Sequence, residues 1–292
     1  MKAPARQLAP RPDYERQPQS IAAIGEIKRT LTPFQKIAKF AAFRKTLILI
    51  GLAVIWQVYA VHLDNELMLP SFSATLGALW DATVHGPLIQ RALFSLEVLV
   101  TGYVIGVFLA GLLVSASVST QFGNDLLSLL TAMFNPLPAI ALLPLALLWF
   151  GIGPQSIIFV IVHSVLWAVA LNTHTGFRSV SETTRMAGQN FGLTGLRYIV
   201  GILVPAAFPS ILSGLKIGWA FAWRTLIAAE LVFGATSRSG GLGWFIFENR
   251  NSLETPAVFA GLLTVIILGL FVEAVVFATI ERYSVRRWGM QR

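Results

Sequence analysis

Six long apolar segments, separated by shorter polar ones, dominate the 292-residue chain. A helix needs about 20 mostly apolar residues to cross ~30 Å of hydrocarbon. The pattern therefore predicts an all-α polytopic membrane protein with six transmembrane helices, of which the first is somewhat short. The predicted spans are 46–61, 93–118, 126–150, 156–175, about 211–234 and about 257–280.

The third apolar segment differs from the others because three prolines interrupt it. Pro136, Pro138 and Pro144 each remove a backbone hydrogen bond, so we expect this helix to bend. A broken helix at membrane depth is tolerated where its backbone lines a cavity or packs on protein. Two interpretations stay open, a bend beside a translocation path and a kinked helix that only packs.

A polar connection punctuated by glycines separates the fourth and fifth spans. It covers residues 177–205 and is too polar to cross a membrane. Its larger apolar residues recur at mixed spacings of three to five: Met186, Phe191, Leu193, Leu196 and Ile199. This spacing predicts one or two short helices with an apolar face and glycine turns between them. Such a segment either docks onto a partner or simply reconnects two spans.

The composition agrees with a membrane protein. Hydrophobic residues make up 55% of the chain and charged residues 12%, whereas a soluble domain is about 25% charged. The chain has no cysteine and only four scattered histidines, so we predict no disulfide and no metal site. The sequence also lacks HExxH, GxSxG and phosphate-loop motifs, so we predict no catalytic residues and no enzyme activity for this chain.

Basic residues are concentrated in three segments that six crossings would place on the same side. Residues 1–45 carry ten Lys or Arg against three acidic residues, and the connection 177–205 and the tail 282–292 are also basic. A basic flank next to a span is typical of the cytoplasmic side, and we favour this reading over nucleic-acid binding. We predict a cytoplasmic arm (1–45), a transmembrane region (46–281) and a cytoplasmic tail (282–292), with both termini inside.

Charged residues within the spans are few, and Arg224 is the most deeply placed. A guanidinium is always charged and binds oxyanions through paired hydrogen bonds. Arg224 therefore indicates either an anion path or a structural ion pair, for example with Glu97. Glu230 follows six residues later, roughly 240° around the helix, so it does not share a face with Arg224.

Other polar side chains in the spans are candidates for the same path. His163 and Trp167 are four residues apart and lie on one side of the fourth span, with Asn172 further along it. They either line a pore or make ordinary helix contacts. The candidate translocation path consists of Pro138, Pro144, His163, Trp167, Asn172, Arg224 and Glu230.

Residues 186–205, MAGQNFGLTGLRYIVGILVP, resemble the EAA loop of permease subunits of binding-protein-dependent ABC importers. In that loop, Glu-Ala-Ala, three residues and Gly precede a Leu-Pro-like end thirteen residues later, which is the spacing from Gly192 to Pro205. The Glu-Ala-Ala start then aligns with Met186, Ala187 and Gly188, so the acidic residue is replaced. A register that starts at Glu182 puts the proline four residues too far on.

Further stretches are similar to the nitrate, sulfonate, taurine and bicarbonate branch of these permeases, among them NPLPAIALLPLALLWFGIG and AWRTLIAAEL. The resemblance covers about residues 65–288. It implies a type I ABC importer permease in the bacterial inner membrane. The implied partners are a second copy of the chain, a periplasmic substrate-binding protein and two cytoplasmic ATPase subunits, which would bind ATP and Mg. The implied cargo is a small oxyanion. Sulfonate or taurine is our first choice, while nitrate, bicarbonate or another organic anion remains open.

The resemblance also implies that the connection 177–205 couples the chain to the ATPase. The residues expected to take part are Glu182, Arg185, Met186, Ala187, Gly188, Gly192, Leu193, Arg197 and Pro205. The main alternative is an ion-coupled secondary transporter or channel without an ATPase. Such a protein often has inverted repeats and polar relays at mid-membrane, and the sequence shows neither.

Overall fold

The computed structural model describes residues 41–233 and 240–285, which fall into two units divided between Leu52 and Ala53. Within these residues every regular element is helical, as the all-α prediction requires. The predictions for residues 1–40 and for the end of the tail lie outside the described residues.

Most of the described residues belong to α-helices, joined by short turns. In chain order these are α1 (Ala41–Leu63), α2 (Phe72–Val84), α3 (Leu88–Ser119), α4 (Gln121–Phe134), α5 (Leu143–Phe150), α6 (Pro154–Arg178), α7 (Glu182–Asn190), α8 (Gly195–Tyr198), α9 (Val204–Phe233), α10 (Leu242–Asn251), α11 (Thr255–Phe271) and α12 (Ala278–Tyr283). A 3₁₀ turn (Ala139–Leu142) precedes α5, and π-helical segments (Ile199–Leu203 and Val272–Phe277) precede α9 and α12.

Five continuous helical segments of the described chain are long and apolar enough to cross a membrane. They are Phe43–Leu63, Leu88–Ser119, Pro154–Arg178, Gly195–Val232 and Thr255–Tyr283. A bent pair, Gln121–Phe134 with Ala139–Phe150, brings the number to six if it forms one span. If the bent pair forms one span, the structure has the six spans that the sequence pattern predicts.

The third predicted span is not one helix but two segments that meet at an angle of 87°. Pro136 and Pro138 lie in the break between Phe134 and Ala139, where no helical hydrogen bond is needed. The expectation that Pro144 also bends a helix is wrong. Pro144 lies in the first turn of α5, where a proline's missing N–H would have no partner anyway, so it begins a helix.

The helix α6 is central, and α3 and α9 pack against it. Its buried Ile161 and Val165 face glycines of α3: a Cβ at Gly102 would lie 2.7 Å from Ile161 Cγ2, and one at Gly106 would lie 2.8 Å from Val165 Cβ. Small residues thus let the two helices approach closely, as is common between membrane helices. The close packing fixes the helices that carry the candidate site.

Candidate functional site

The polar connection between α6 and α9 forms a helical elbow, residues 181–203. It consists of α7, a turn, α8 and a π-helical segment, so the prediction of short helices with glycine turns is confirmed. The Ser181 hydroxyl accepts a hydrogen bond from the Thr184 N–H and caps α7. Gly192 and Gly195 have φ angles of 71° and 56°, which glycine adopts without a steric penalty.

Arg185, one of the predicted coupling residues, ties the elbow to the end of α6. Its Nη2 donates to the Phe177 carbonyl at 2.6 Å, and its Nε donates to the Val180 carbonyl at 3.3 Å. Phe177 lies in the last turn of α6, where carbonyls lack the usual i+4 donor, and Val180 follows the end of that helix. A guanidinium there also complements the helix dipole. Arg185 therefore holds α7 on α6, which the sequence alone did not indicate.

Gly188 is the buried contact between α7 and the start of the fifth span. A Cβ at this position would lie 2.8 Å from Ile202 Cγ1 and 3.1 Å from Tyr198 Cε2. The absence of a side chain therefore lets α7 lie directly on the segment that leads into α9. Together with Arg185, Gly188 joins the elbow to both neighbouring spans.

Replacing Gly188 by alanine is expected to destabilise the elbow by about 1–3 kcal/mol, because the added methyl overpacks this contact. Gly201→Ala is the matched control, since its Cβ would meet only Leu193 Cδ1, at 3.9 Å. Limited proteolysis of the purified chain should cut the Gly188→Ala elbow faster and leave the Gly201→Ala elbow unchanged. Equal cleavage of both variants would contradict the packing role.

The elbow exposes four large apolar side chains, which we call the elbow apolar residues. They are Met186, Phe191, Leu196 and Val200, and Phe191 is 83% exposed. Exposed apolar groups concentrated in one short segment are typical of a surface that binds a partner. The predicted coupling residues Glu182, Ala187, Gly192 and Arg197 are exposed as well, whereas Leu193 and Pro205 are partly buried.

A cavity of about 270 Å³ lies at the break in the third span, between that break and helices α6 and α9. It brings together four of the predicted path residues, namely Pro138 from the break, His163 and Trp167 from α6, and Arg224 from α9. The lining residues also include Asn135, Phe221 and Thr225. Residues from three separate elements therefore converge on one space.

Hydrogen-bonding groups at this cavity have no partner among the described residues. Both ring nitrogens of His163 and the indole Nε1 of Trp167 are buried and unpaired. Buried polar groups normally have a hydrogen-bond partner, so these three nitrogens are unsatisfied within the described residues. Within the described residues Arg224 makes no ion pair, and its guanidinium lies 5.6 Å from the centre of the Phe221 ring. The alternative of an Arg224–Glu97 pair is therefore wrong for this structure.

Three predicted path residues lie away from the cavity. Pro144 is in the first turn of α5, and the Asn172 side chain donates to the Ala168 carbonyl of its own helix at 2.8 Å. Glu230 is 2% exposed and belongs to a separate hydrogen-bonded cluster. These three residues therefore do not line this cavity, because helical spacing does not fix which face of a helix meets which neighbour.

The Glu230 cluster joins α3, α9 and the N-terminus of α10. The Ser95 hydroxyl donates to Glu230 Oε1 at 2.7 Å, and the Gly243 N–H donates to Oε2 at 2.7 Å. The Leu242 N–H donates to Ser95 Oγ at 2.8 Å. Side chains from two other helices thus cap α10, and the carboxylate lies at the positive end of its dipole. A Cβ at Gly241 would overlap both Glu230 and Ser95.

The chain belongs to the family of binding-protein-dependent transport system inner membrane components, whose model matches residues 102–285. This match includes the elbow, the cavity and the break in the third span. Members of this family are components of transport systems. Within the described residues, no group of three or more His, Cys, Asp or Glu side chains that could hold a metal ion occurs.

Several named relatives align with most of the chain. It is 31% identical over 230 residues to the taurine transport system permease protein TauC of Escherichia coli, covering 76% of this chain and 81% of the relative. It is 29% identical to the putative aliphatic sulfonates transport permease protein SsuC of Escherichia coli, covering 75% and 82%. It is also 29% identical to the nitrate import permease protein NrtB of Synechocystis, covering 84% and 90%.

Proposed function

We propose that this chain is the permease subunit of an ATP-driven importer for a small oxyanion. The elbow carries this proposal, because its exposed apolar residues lie on a polar connection that leads directly into α6 and α9. A second copy of the chain, two cytoplasmic ATPase subunits and a periplasmic binding protein would complete the importer. Family membership supports these partners.

Movement of the elbow would be transmitted to the cavity through α6 and α9. Arg185 holds α7 on α6, and Gly188 packs against residues that lead into α9. The same two spans carry His163, Trp167 and Arg224 at the cavity. When ATPase subunits close on ATP, they would move each elbow as a rigid body, and α6 and α9 would repack with it. The cavity would then open alternately to each side.

The proposed orientation places the elbow and both termini in the cytoplasm of a bacterial cell, with the chain in the inner membrane. The basic residues of the arm, the elbow and the tail support it. Helices α2 and α10 then lie on the periplasmic side, where a binding protein would deliver the cargo.

Taurine or another sulfonate is the cargo we propose first, with nitrate, bicarbonate or another organic anion as further possibilities. Arg224 supplies the positive charge at the cavity, and the relatives named for taurine, aliphatic sulfonates and nitrate support an anion. A guanidinium suits any of these anions, because it donates paired hydrogen bonds to planar or tetrahedral oxyanions.

The test is uptake of labelled taurine, other sulfonates, nitrate and bicarbonate by vesicles that contain this chain, its ATPase and the binding protein. We expect uptake of at least one anion to require ATP on the side of the vesicle membrane where the ATPase subunits lie. Uptake should stop when the ATPase is omitted. Uptake by this chain alone, without ATP, would contradict the proposal and favour a secondary transporter or channel. An ATPase inactivated in its phosphate loop serves as the matched control.

A further inference from the structure

We propose that a groove between α4 and the last two turns of α6, which we call the α4–α6 groove, binds a tetrahedral inorganic oxyanion such as sulfate from the cytoplasm, and that the bound anion slows the transport cycle. The groove is a regulatory site and is separate from the cavity at the break in the third span. The cytoplasmic position and the effect on transport rest on the proposed function, whereas binding of the anion does not.

The α4–α6 groove has a volume of about 540 Å³, and the described residues that line it belong to two helices. More than half of these residues are polar, namely Ser128, Thr131, His174, Thr175 and Arg178. None of the residues that line the groove also lines the cavity at the break. Arg178 is the last residue of α6, three residues before the elbow begins at Ser181. In the proposed orientation the groove therefore opens toward the cytoplasm.

One face of α6 brings Arg178 into the groove. Leu171, Thr175 and Arg178 follow one another at intervals of four and three residues, so they lie on the same side of the helix. All three are exposed, so the groove surface of α6 is accessible to a ligand. Because a helical side chain extends over the turn before it, the Arg178 guanidinium extends back along the groove toward Thr175.

The groove offers one permanent positive charge and several hydroxyl donors. Arg178 makes no ion pair within the described residues, where the hydroxyls of Ser128, Thr131 and Thr175 also have no hydrogen-bond partner. A guanidinium has five N–H donors, and each hydroxyl adds one. No acidic side chain is among the described lining residues. A tetrahedral oxyanion presents oxygens in several directions, so it can accept from both helices at once.

A bound anion would connect two helices that otherwise have little contact. Helix α4 packs mainly on α3, and across the groove His174 Nε2 lies 3.2 Å from Asn124 Oδ1. An anion held by Arg178 and the α4 hydroxyls adds a second connection. A ligand that binds one conformation stabilises it relative to the others. Because the transport cycle requires α6 to repack, the bound anion should hold the chain in the conformation with the open groove.

The first experiment measures binding without requiring transport. Leu171→Cys places the only thiol of the chain in the groove, one helical turn from Thr175, and removes no polar group. In the full-length chain in lipid nanodiscs, we expect saturating sulfate to slow labelling of this thiol by N-ethylmaleimide about threefold or more, because the bound anion blocks access. Potassium chloride at the same ionic strength should not slow it.

Arg178→Gln identifies the site. In the Leu171→Cys background it should raise the sulfate concentration for half-protection about tenfold, since charge-assisted hydrogen bonds are lost. Arg282→Gln, an exposed arginine of α12 outside the groove, is the matched control and should leave protection unchanged. Protection should also persist in Arg224→Gln, because Arg224 lines the other cavity. If Arg178→Gln does not fold, Ser128→Ala, at an exposed position of α4, should weaken protection as well.

The second experiment measures ATP hydrolysis by the chain with its ATPase in nanodiscs. We expect sulfate to slow hydrolysis by about half or more, since it favours one conformation of the cycle, and Arg178→Gln to relieve this inhibition while Arg282→Gln does not. Failure of sulfate to protect the thiol, equal protection in Arg178→Gln, or hydrolysis unaffected by sulfate would overturn the inference. ATP-driven uptake without protection would leave the importer intact and remove only this site. ATP-independent uptake with Arg178-dependent protection would do the reverse.

Discussion

Replacing Phe191 by aspartate is expected to abolish ATP-driven uptake while the chain still inserts into the membrane. Phe191 is 83% exposed and is the most exposed of the elbow apolar residues. Burying such a ring against a partner contributes about 1.5–3 kcal/mol, and a carboxylate at the same place must lose its hydration without a partner. The lost burial of the ring and the desolvation of the carboxylate both weaken binding of the elbow to the ATPase, so docking should fail.

The measurement is ATP hydrolysis and uptake by the reconstituted complex, together with co-purification of the ATPase. Thr194→Asp is the matched control, because it adds the same charge to an exposed polar position three residues along the elbow. We expect Thr194→Asp to retain the ATPase and Phe191→Asp to lose it. Full uptake by Phe191→Asp would show that the elbow apolar residues do not form the docking surface.

Replacing Glu230 by leucine is expected to release α10 from the rest of the chain. The substitution leaves the Gly243 N–H and the Ser95 hydroxyl without their acceptor in a buried site. Each buried polar group that loses its partner costs about 1–3 kcal/mol, so the chain should lose several kcal/mol of stability. Glu230→Gln keeps one acceptor oxygen, and its loss should be smaller.

A cysteine introduced at an inward-facing position of α10, such as Ile246→Cys, reports this release because the chain has no other cysteine. Ile246 is buried, so the thiol should react with maleimide slowly in the native chain and rapidly beside Glu230→Leu. Glu97→Leu is the matched control, since Glu97 lies on α3 two residues from Ser95 and is exposed. Slow labelling of the Glu230→Leu variant would contradict the capping role.

The parts of the fold that depend on local pattern could be predicted from the sequence. Five apolar runs identify continuous spans, and the glycines around Phe191 identify the elbow as short helices with turns. The edge-to-face contact of the His163 and Trp167 rings on one side of α6 also follows from their four-residue spacing. In each case the information lies within one or two helical turns.

The remaining features depend on contacts between distant segments, which periodicity does not encode. Ser95 and Glu230 are 135 residues apart, and only the approach of α3 to α9 turns a charged residue in a span into a helix cap. Prolines indicated a break in the third span, but its 87° angle and the separate role of Pro144 depend on the surrounding helices. Arg185 is similar, because its acceptors, the carbonyls of Phe177 and Val180, lie at and just beyond a helix end that the sequence does not fix.

Cross-linking from position 191 tests the docking of the elbow to a cytoplasmic ATPase most directly. The chain contains no cysteine, so Phe191→Cys introduces a single reactive thiol at an exposed site. We predict that a short bifunctional maleimide joins this thiol to the ATPase subunit in the assembled complex, and that a membrane-impermeant maleimide added outside intact cells leaves it unlabelled. Labelling from outside, or failure to cross-link to an ATPase that is present and active, would contradict ATP-driven coupling through this elbow.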